Sequence, residues 1–160
     1  MKTLFTTENI SIVSYKPEYA HYFERYNKDW LEEYFEVEPV DKYVLENPDE
    51  AILQHGGKIL FAKHEGAIIG TVALKFVSPG VYELTKMAVD KKLRGHGAGK
   101  LLCWAGIEEA KRLNAHTLIL YSSSKLKNAI GIYEKLGFKH LSVEPGVYKR
   151  ADIKMELLLK

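Results

Sequence analysis

The sequence predicts an α/β (α+β) fold. A mixed, mostly antiparallel sheet of about seven strands is flanked by about four helices, in the order β-α-α-β-β-β-α-β-α-β-β, with residues 1–160 forming one domain. Three observations carry this expectation. After Gly57 the hydrophobic spacing changes from helical to extended, and turn signals at Glu65-Gly66 and Ser78-Pro79-Gly80 divide the extended stretch into three strands. The third strand runs through a glycine-rich loop, Arg94-Gly95-His96-Gly97-Ala98-Gly99, into a helical pattern. A short apolar run at 117–121 follows that helix, which reads as a buried strand returned parallel by a helical crossover.

Residues 10–15 form a short first strand. Pro17 opens a helix, where its missing N–H costs nothing, and Ala20, Phe23 and Tyr26/Asn27 recur at helical spacing. A second helical piece spans 29–35, with Asp29 capping its positive end. Asn47-Pro48 breaks the pattern, and 48–54 is one more short helix ended by Gly56-Gly57. Strands at 58–64, 67–77 and 81–89 make an antiparallel meander. The helix over 98–112 buries a stripe of Leu102, Ala105, Ala110 and Leu113. Ser122-Ser123-Ser124 closes the strand at 117–121. A helix over 128–136 stops at Gly137, and the last strands, 138–144 and 152–159, are separated by Pro145-Gly146.

The composition, 46% hydrophobic and 28% charged over 160 residues, is that of a globular chain in water. No apolar run approaches the roughly 18 residues that span a membrane, and the first residues lack a signal-peptide pattern. The single cysteine, Cys103, excludes an internal disulfide. A cytoplasmic location and no membrane partner are therefore expected. The net charge of +2 gives no argument for nucleic acid, but its distribution is uneven: residues 29–50 hold nine acids against Lys42, so that segment carries −8 and the remainder +10.

The glycine loop is the sharpest chemical signal. Glycine lets a backbone turn tightly and approach a ligand closely. A strand passing through such a loop into a helix converges free N–H groups on one spot, and the helix dipole adds positive potential. Lys91, Lys92, Arg94 and Lys100 add full charges, so a phosphate or pyrophosphate suits the site. The P-loop is excluded because Leu101 follows Gly99-Lys100. The G-x-G-x-x-G fingerprint fails on the spacing of Gly95, Gly97 and Gly99.

What fits is R/Q-x-x-G-x-G/A, read as Arg94-x-x-Gly97-x-Gly99, which resembles the coenzyme A pyrophosphate loop of the GNAT superfamily of N-acetyltransferases. A second run, Asn128-Ala129-x-x-x-Tyr133-x-x-x-Gly137-Phe138, is similar to that superfamily's N-x-x-A-x-x-x-Y-x-x-x-G-F, with the Asn–Ala spacing shortened to adjacent residues. Residues 83–89 also look like its fourth strand. The resemblance covers about 58–138 and weakens before residue 57, where the superfamily varies with substrate. It implies acetyl-CoA as acetyl donor and no metal. It further implies pyrophosphate held at Arg94, Gly95, His96, Gly97, Ala98, Gly99 and Lys100, with Asn128 as another cofactor contact. Where two parallel strands splay apart, the backbone of Met87, Ala88 and Val89 would serve the pantetheine arm and the thioester oxygen.

Acetyl transfer to an amine needs a base for the amine, donors for the carbonyl oxygen and an acid for the departing thiolate. A lysine-like amine is neutral in only about one molecule in 10³ at pH 7, a penalty of roughly 4–5 kcal/mol. Glu83, six residues before Val89, matches by resemblance the superfamily's general base; otherwise it is a solvent-facing strand glutamate or a partner of Lys86. Tyr133 is the general acid, with a phenol pKa near 10 against about 8.5 for a thiol, or else a core tyrosine. Cys103 reads as a small helix hydrophobe, because the superfamily transfers acetyl without a cysteine intermediate. His96 either touches phosphate or is solvated. His21, His55, His64, His116 and His140 show no metal-ligand spacing. Trp30, Tyr34 and Phe35 either line an acceptor pocket or form the apolar side of a helix.

The expected function is acetyl-CoA-dependent N-acetyl transfer to a primary amine, on a small cationic molecule or a peptide lysine or N-terminus. The acidic segment, through a subset such as Asp29, Glu33 and Glu36, would wall the acceptor cleft and attract cations. Two readings compete: a non-catalytic acyl-CoA-binding regulatory module, and an acetyltransferase acting on charged tRNA or ribosomal protein. The acidic lobe argues against the tRNA form. A homodimer is one open assembly state.

Overall fold

Alternation along residues 58–64 sends side chains to two different cores. Ile59 and Phe61 pack with one hydrophobic cluster, whereas Leu60 and Ala62 pack with the other. The sheet is thus covered on both faces. The computed structural model describes residues 9–144 and 149–159. Its seven-stranded sheet has the order β1-β2-β3-β4-β5-β7-β6, with β1 Ile10–Ser14, β2 Lys58–His64, β3 Ala67–Ser78, β4 Val81–Val89, β5 Thr117–Ser122, β6 Lys139–Leu141 and β7 Ile153–Leu158. Every neighbouring pair is antiparallel except β4–β5.

One face carries α1 Ala20–Tyr34 and α2 Pro39–Glu46, followed by the single turn α3 Pro48–Ala51. Phe23, Tyr26 and Leu31 of α1 and Val44 and Leu45 of α2 bury there against Ile59, Phe61, Ile68, Ala73 and Ala88. The other face carries α4 Ala98–Arg112, whose Leu102, Cys103, Ala105 and Ala110 pack on Leu74, Leu84, Leu118 and Leu120. The fifth helix, α5 Lys127–Lys135, follows β5, and Ile132 and Tyr133 pack at the edge of this second core.

The meander, the crossover helix and the parallel β5 stand as the sequence predicts. Four details differ. The expected break before Asp29 does not exist: Pro17–Tyr19 is a 3-10 turn that leads into one continuous helix, and Asp29 lies exposed inside it. Buried residues at 23, 26, 27 and 31 keep one helical face in register through that point, so packing overrides the local capping signal. A helix at 39–46 stands between the helical pieces expected at 29–35 and 48–54, where the sequence predicts no element. Pro39 at its first position and a capping box between Glu38 and Asp41 start it. The strand expected at 138–144 shrinks to β6, because Phe138 turns inward to the core and only three residues pair with β7. Among the described residues five α-helices stand where about four were expected. The predicted Pro145-Gly146 turn lies outside the described residues.

Candidate active site

The site is organised by β4. Its parallel pairing with β5 covers only Val81↔Thr117, Tyr82↔Leu118 and Glu83↔Ile119. Beyond that point the two strands diverge, and a cleft opens between Leu84–Met87 on one side and Tyr121–Ser123 on the other. On its other edge β4 carries a bulge: Thr71 pairs with Ala88 and Ala73 with Thr85, so Val72 alone opposes Lys86 and Met87. Lys86 adopts φ +55°, a left-handed conformation uncommon for a residue with a Cβ.

Glu83 sits where the splay begins, lines the cleft and is 5% exposed. It is therefore not the solvent-facing strand residue of the alternative reading. Its charge reaches Lys86 and Tyr121. Tyr133 projects from α5 into the same cleft, in edge contact with Phe138. Burial, with a smaller contribution from Cys103, pushes its phenol above the ordinary value of 10. Cys103 itself is fully buried in α4, and burial raises its thiol to about 12. Desolvation outweighs any help from the helix N-terminus, so it is an inert core residue.

The glycine loop follows at the far end of β4. Asp90 accepts a bond from the Lys92 N–H and starts a short 3-10 turn, Lys91–Leu93. Gly95 and Gly97 take φ +85° and +92°. Gly97 is the N-cap of α4, and no side chain caps the N–H groups of the first turn. A Cβ built on Gly95 or Gly99 would meet nothing within 4 Å, so the backbone presents an open concave surface. Uncapped N–H groups at a helix start, beside an open glycine surface, fit a pyrophosphate. Arg94 spends its charge elsewhere: Nη1 bonds Glu33 of α1 at 2.7 Å, and Nε donates to the Val89 carbonyl. His96 and Lys100 are exposed.

The remaining wall comes from the first connection and from the chain before β7. Asn27, Trp30, Leu31 and Phe35 line the cleft from α1, and Arg150 with Ala151 closes it from the other side. Behind them lies a charged quartet. Asp41, 0% exposed, receives Lys86 Nζ at 2.9 Å and two bonds from Arg150 at 2.9 and 3.0 Å, and Arg150 also reaches Glu38 at 2.9 Å. Burial alone would raise the Asp41 carboxyl, but Arg150 and Lys86 together hold it below its usual value. Burial pulls Lys86 the other way, below its usual value, and Asp41 offsets this only in part. The partners differ because two cations bond Asp41, whereas Arg150 repels the Lys86 ammonium and so works against the help it receives from Asp41 and Glu83.

Three of the expected site residues line this cleft. Glu83, Met87 and Tyr133 share the cleft, and the 94–100 loop lies at the end of the same strand. Ala88 and Val89 bury their side chains in the two cores and are not among the residues lining the cleft. Asn128 is exposed and does not line the cleft, although Leu126 and Ala129 beside it do. Trp30 and Phe35 are cleft residues, whereas Tyr34 is exposed. The expected acidic wall is not found. None of the nine acids of residues 29–50 lines the cleft: Glu33 pairs with Arg94, Glu46 with Lys28, and Glu38 and Asp41 with Arg150. Sequence reasoning missed Asn27, Lys86, Asp41, Tyr121 and Arg150. The Glu38-Pro39-x-Asp41 capping pattern was a readable signal for one of them; the others carried none. Among the described residues, no three His, Cys, Asp or Glu side chains cluster as metal ligands, and no helix is long and apolar enough to cross a membrane.

The family model described as Acetyltransferase (GNAT) family matches residues 19–138. The chain is 29% identical to the uncharacterized N-acetyltransferase YjgM of Escherichia coli (strain K12) over 108 residues, 66% of this chain and 65% of that protein. It is 32% identical to N-acetylaspartate synthetase of Xenopus tropicalis over 110 residues, 68% of this chain and 38% of that enzyme. The matched stretch thus spans less than two-thirds of either relative. Among solved structures, a GNAT-family acetyltransferase from Staphylococcus aureus Mu50 aligns with TM-score 0.83 and 23% identity, covering 94% of this chain and 99% of that one. The Salmonella typhimurium protein yncA, solved with its cofactor acetyl-CoA, aligns with TM-score 0.76 and 22% identity over 95% of each chain. At such identities the structural likeness is one of fold.

Proposed function

The chain belongs to the GNAT acetyltransferase family, and from that premise we propose that it moves an acetyl group from acetyl-CoA directly to a primary amine. The observation that carries this reading is the divergence of β4 from β5 after Glu83↔Ile119. It leaves one edge of β4 unpaired along the cleft, with Glu83 at one end, the glycine loop at the other and Tyr133 opposite.

In this reading the uncapped N–H groups of α4 and the open glycines hold the pyrophosphate. A thioester, when bound, supplies the activated acetyl group. Backbone N–H groups of Met87 to Val89 receive its carbonyl oxygen, where a preorganised donor is worth far more than water. Glu83 accepts the proton of the amine, directly or through one water. It is the one carboxylate among the residues lining the cleft, and so the natural counter-charge for an arriving ammonium.

Tyr133 assists the departing thiolate as a hydrogen-bond donor. Its phenol lies above 10, so complete proton transfer to a thiolate of pKa near 8.5 would run uphill by at least about 2 kcal/mol. Donation without transfer fits the raised value. The acceptor, a small amine or a peptide lysine or N-terminus, places its body against Trp30, Leu31 and Phe35, an apolar wall rather than the acidic one expected.

The test is thiol release from acetyl-CoA across a panel of alkyl and aromatic amines, polyamines, amino acids and short peptides. Release with amines, at rates that fall in Glu83→Gln, is the expected result. Tight acetyl-CoA binding with no release for any acceptor would instead support a regulatory binding module.

A further inference from the structure

Lys86 lies at the centre of the cleft wall, and two helices grip it. Its carbonyl accepts a bond from Asn27 Nδ2 of α1 at 3.1 Å, and its ammonium donates to Asp41 Oδ1 of α2 at 2.9 Å. Asn27 and Asp41 are themselves buried, at 2% and 0% exposure. The same Asn27 amide group also donates to the Phe23 carbonyl of its own helix, and Asp41 is clamped by Arg150, so neither gripping group is free to swing. What they hold is the bulge: the residue at φ +55°, with Met87 beside it, opposite Val72. A lysine left to itself prefers an ordinary extended conformation. A strand relaxed in that way would slip by one residue and turn Met87 and its amide to the other face.

We propose that Asn27 and Asp41 are positioning residues which hold the β4 bulge at Lys86-Met87 and so keep its backbone amides facing the cleft, where the substrate carbonyl is received. Neither side chain need touch the reacting atoms. The amides are chemically identical to any others, and their usefulness depends on a backbone conformation that the local sequence disfavours. Buried polar groups from two separate helices supply the constraint. This inference rests on the acetyl-transfer reading for its kinetic arm, and on the bulge alone for its structural arm.

Lys86→Gly is the informative variant. Glycine accepts a positive φ without strain, so the fold tolerates the change while the tether to Asp41 is lost. With Asn27→Ala added, turnover should fall at least about tenfold, as expected when a preorganised donor is displaced. The KM for acetyl-CoA should stay within about threefold, because the 94–100 loop is untouched. Lys86→Arg, which keeps a cation for Asp41, should restore most of the turnover. Hydrogen exchange should quicken over residues 84–89 and stay unchanged over 95–102. Asp41→Asn should behave likewise if it folds; if it does not, the Lys86→Gly pair decides. Wild-type turnover and exchange in Lys86→Gly/Asn27→Ala would overturn the proposal. If the wild-type chain releases thiol with no amine, the acetyl-transfer reading fails, and the exchange comparison still decides this one.

Discussion

The glycine loop and the acceptor side of the cleft lie at opposite ends of one strand, yet the chain builds them differently. The loop is seven consecutive residues, 94–100, and what it presents is left-handed glycines and the uncapped backbone N–H groups at the start of α4. The acceptor side draws Asn27 from α1, Asp41 from α2, Lys86 from β4 and Arg150 from the chain before β7, and the Arg150–Asp41 bonds join residues 109 apart in sequence. Its working parts are side chains, held by ions taken out of water. One region tolerates almost any side chain but few backbones. The other tolerates few side chains, because each charge is balanced by the next.

Mutations should separate the two regions. The largest effect is expected at the cleft. Glu83→Gln should lower turnover by about 10²–10⁴, the usual range for losing a general base, while acetyl-CoA affinity measured by calorimetry stays unchanged. An equal loss of donor affinity would erase the distinction.

Asp41→Asn should cost about 3 kcal/mol of stability, since it leaves the buried Lys86 ammonium, and the half-buried Arg150 beside it, facing a neutral amide. The folded-state pKa of Asp41 lies below its unfolded value. Its contribution is therefore fully present above the unfolded value near 3.9, and it disappears as pH falls through the folded value. Thermal melts from pH 7 to pH 2.5 should show the gap between wild type and variant wide at neutral pH and closing in acid. A gap that is constant with pH would mean that Asp41 acts through packing rather than charge.

Gly97→Val probes the other region. Valine in the conformation Gly97 adopts costs about 1–3 kcal/mol, which the loop must absorb by moving. Acetyl-CoA affinity should fall about tenfold or more, with turnover at saturation much less affected. Wild-type affinity in the folded variant would remove the loop from the site.

The smallest effect is expected where the regions meet. Glu33 of α1 bonds Arg94 of the loop, and the pair is partly exposed to solvent. Such pairs contribute under about 1 kcal/mol. Glu33→Gln should shift acetyl-CoA affinity by no more than about threefold, and a tenfold change would show that the two regions are coupled.

The sequence by itself determined the meander, the crossover helix, the parallel strand after it and the glycine loop. Each is written in neighbours: extended, largely apolar runs over 58–89, the turns at Glu65-Gly66 and Ser78-Pro79-Gly80, and three glycines in six positions. Glu83 and Tyr133 were candidates only because each holds a fixed offset in runs that resemble the superfamily's motifs, and both line the cleft. Tertiary structure alone decided the rest. Whether Asp29 starts a helix or continues one depended on what α1 packs against. Whether residues 29–50 wall the cleft with acid depended on where the helices put them and on which cations reach them: Lys28, Lys86, Arg94 and Arg150 reach Glu33, Glu38, Asp41 and Glu46, and the other five lie outside the cleft lining. A charge count along a chain cannot register that cancellation. Ion pairs form across folded distance, and a carboxylate bound to a guanidinium no longer projects the field that its place in the sequence implies.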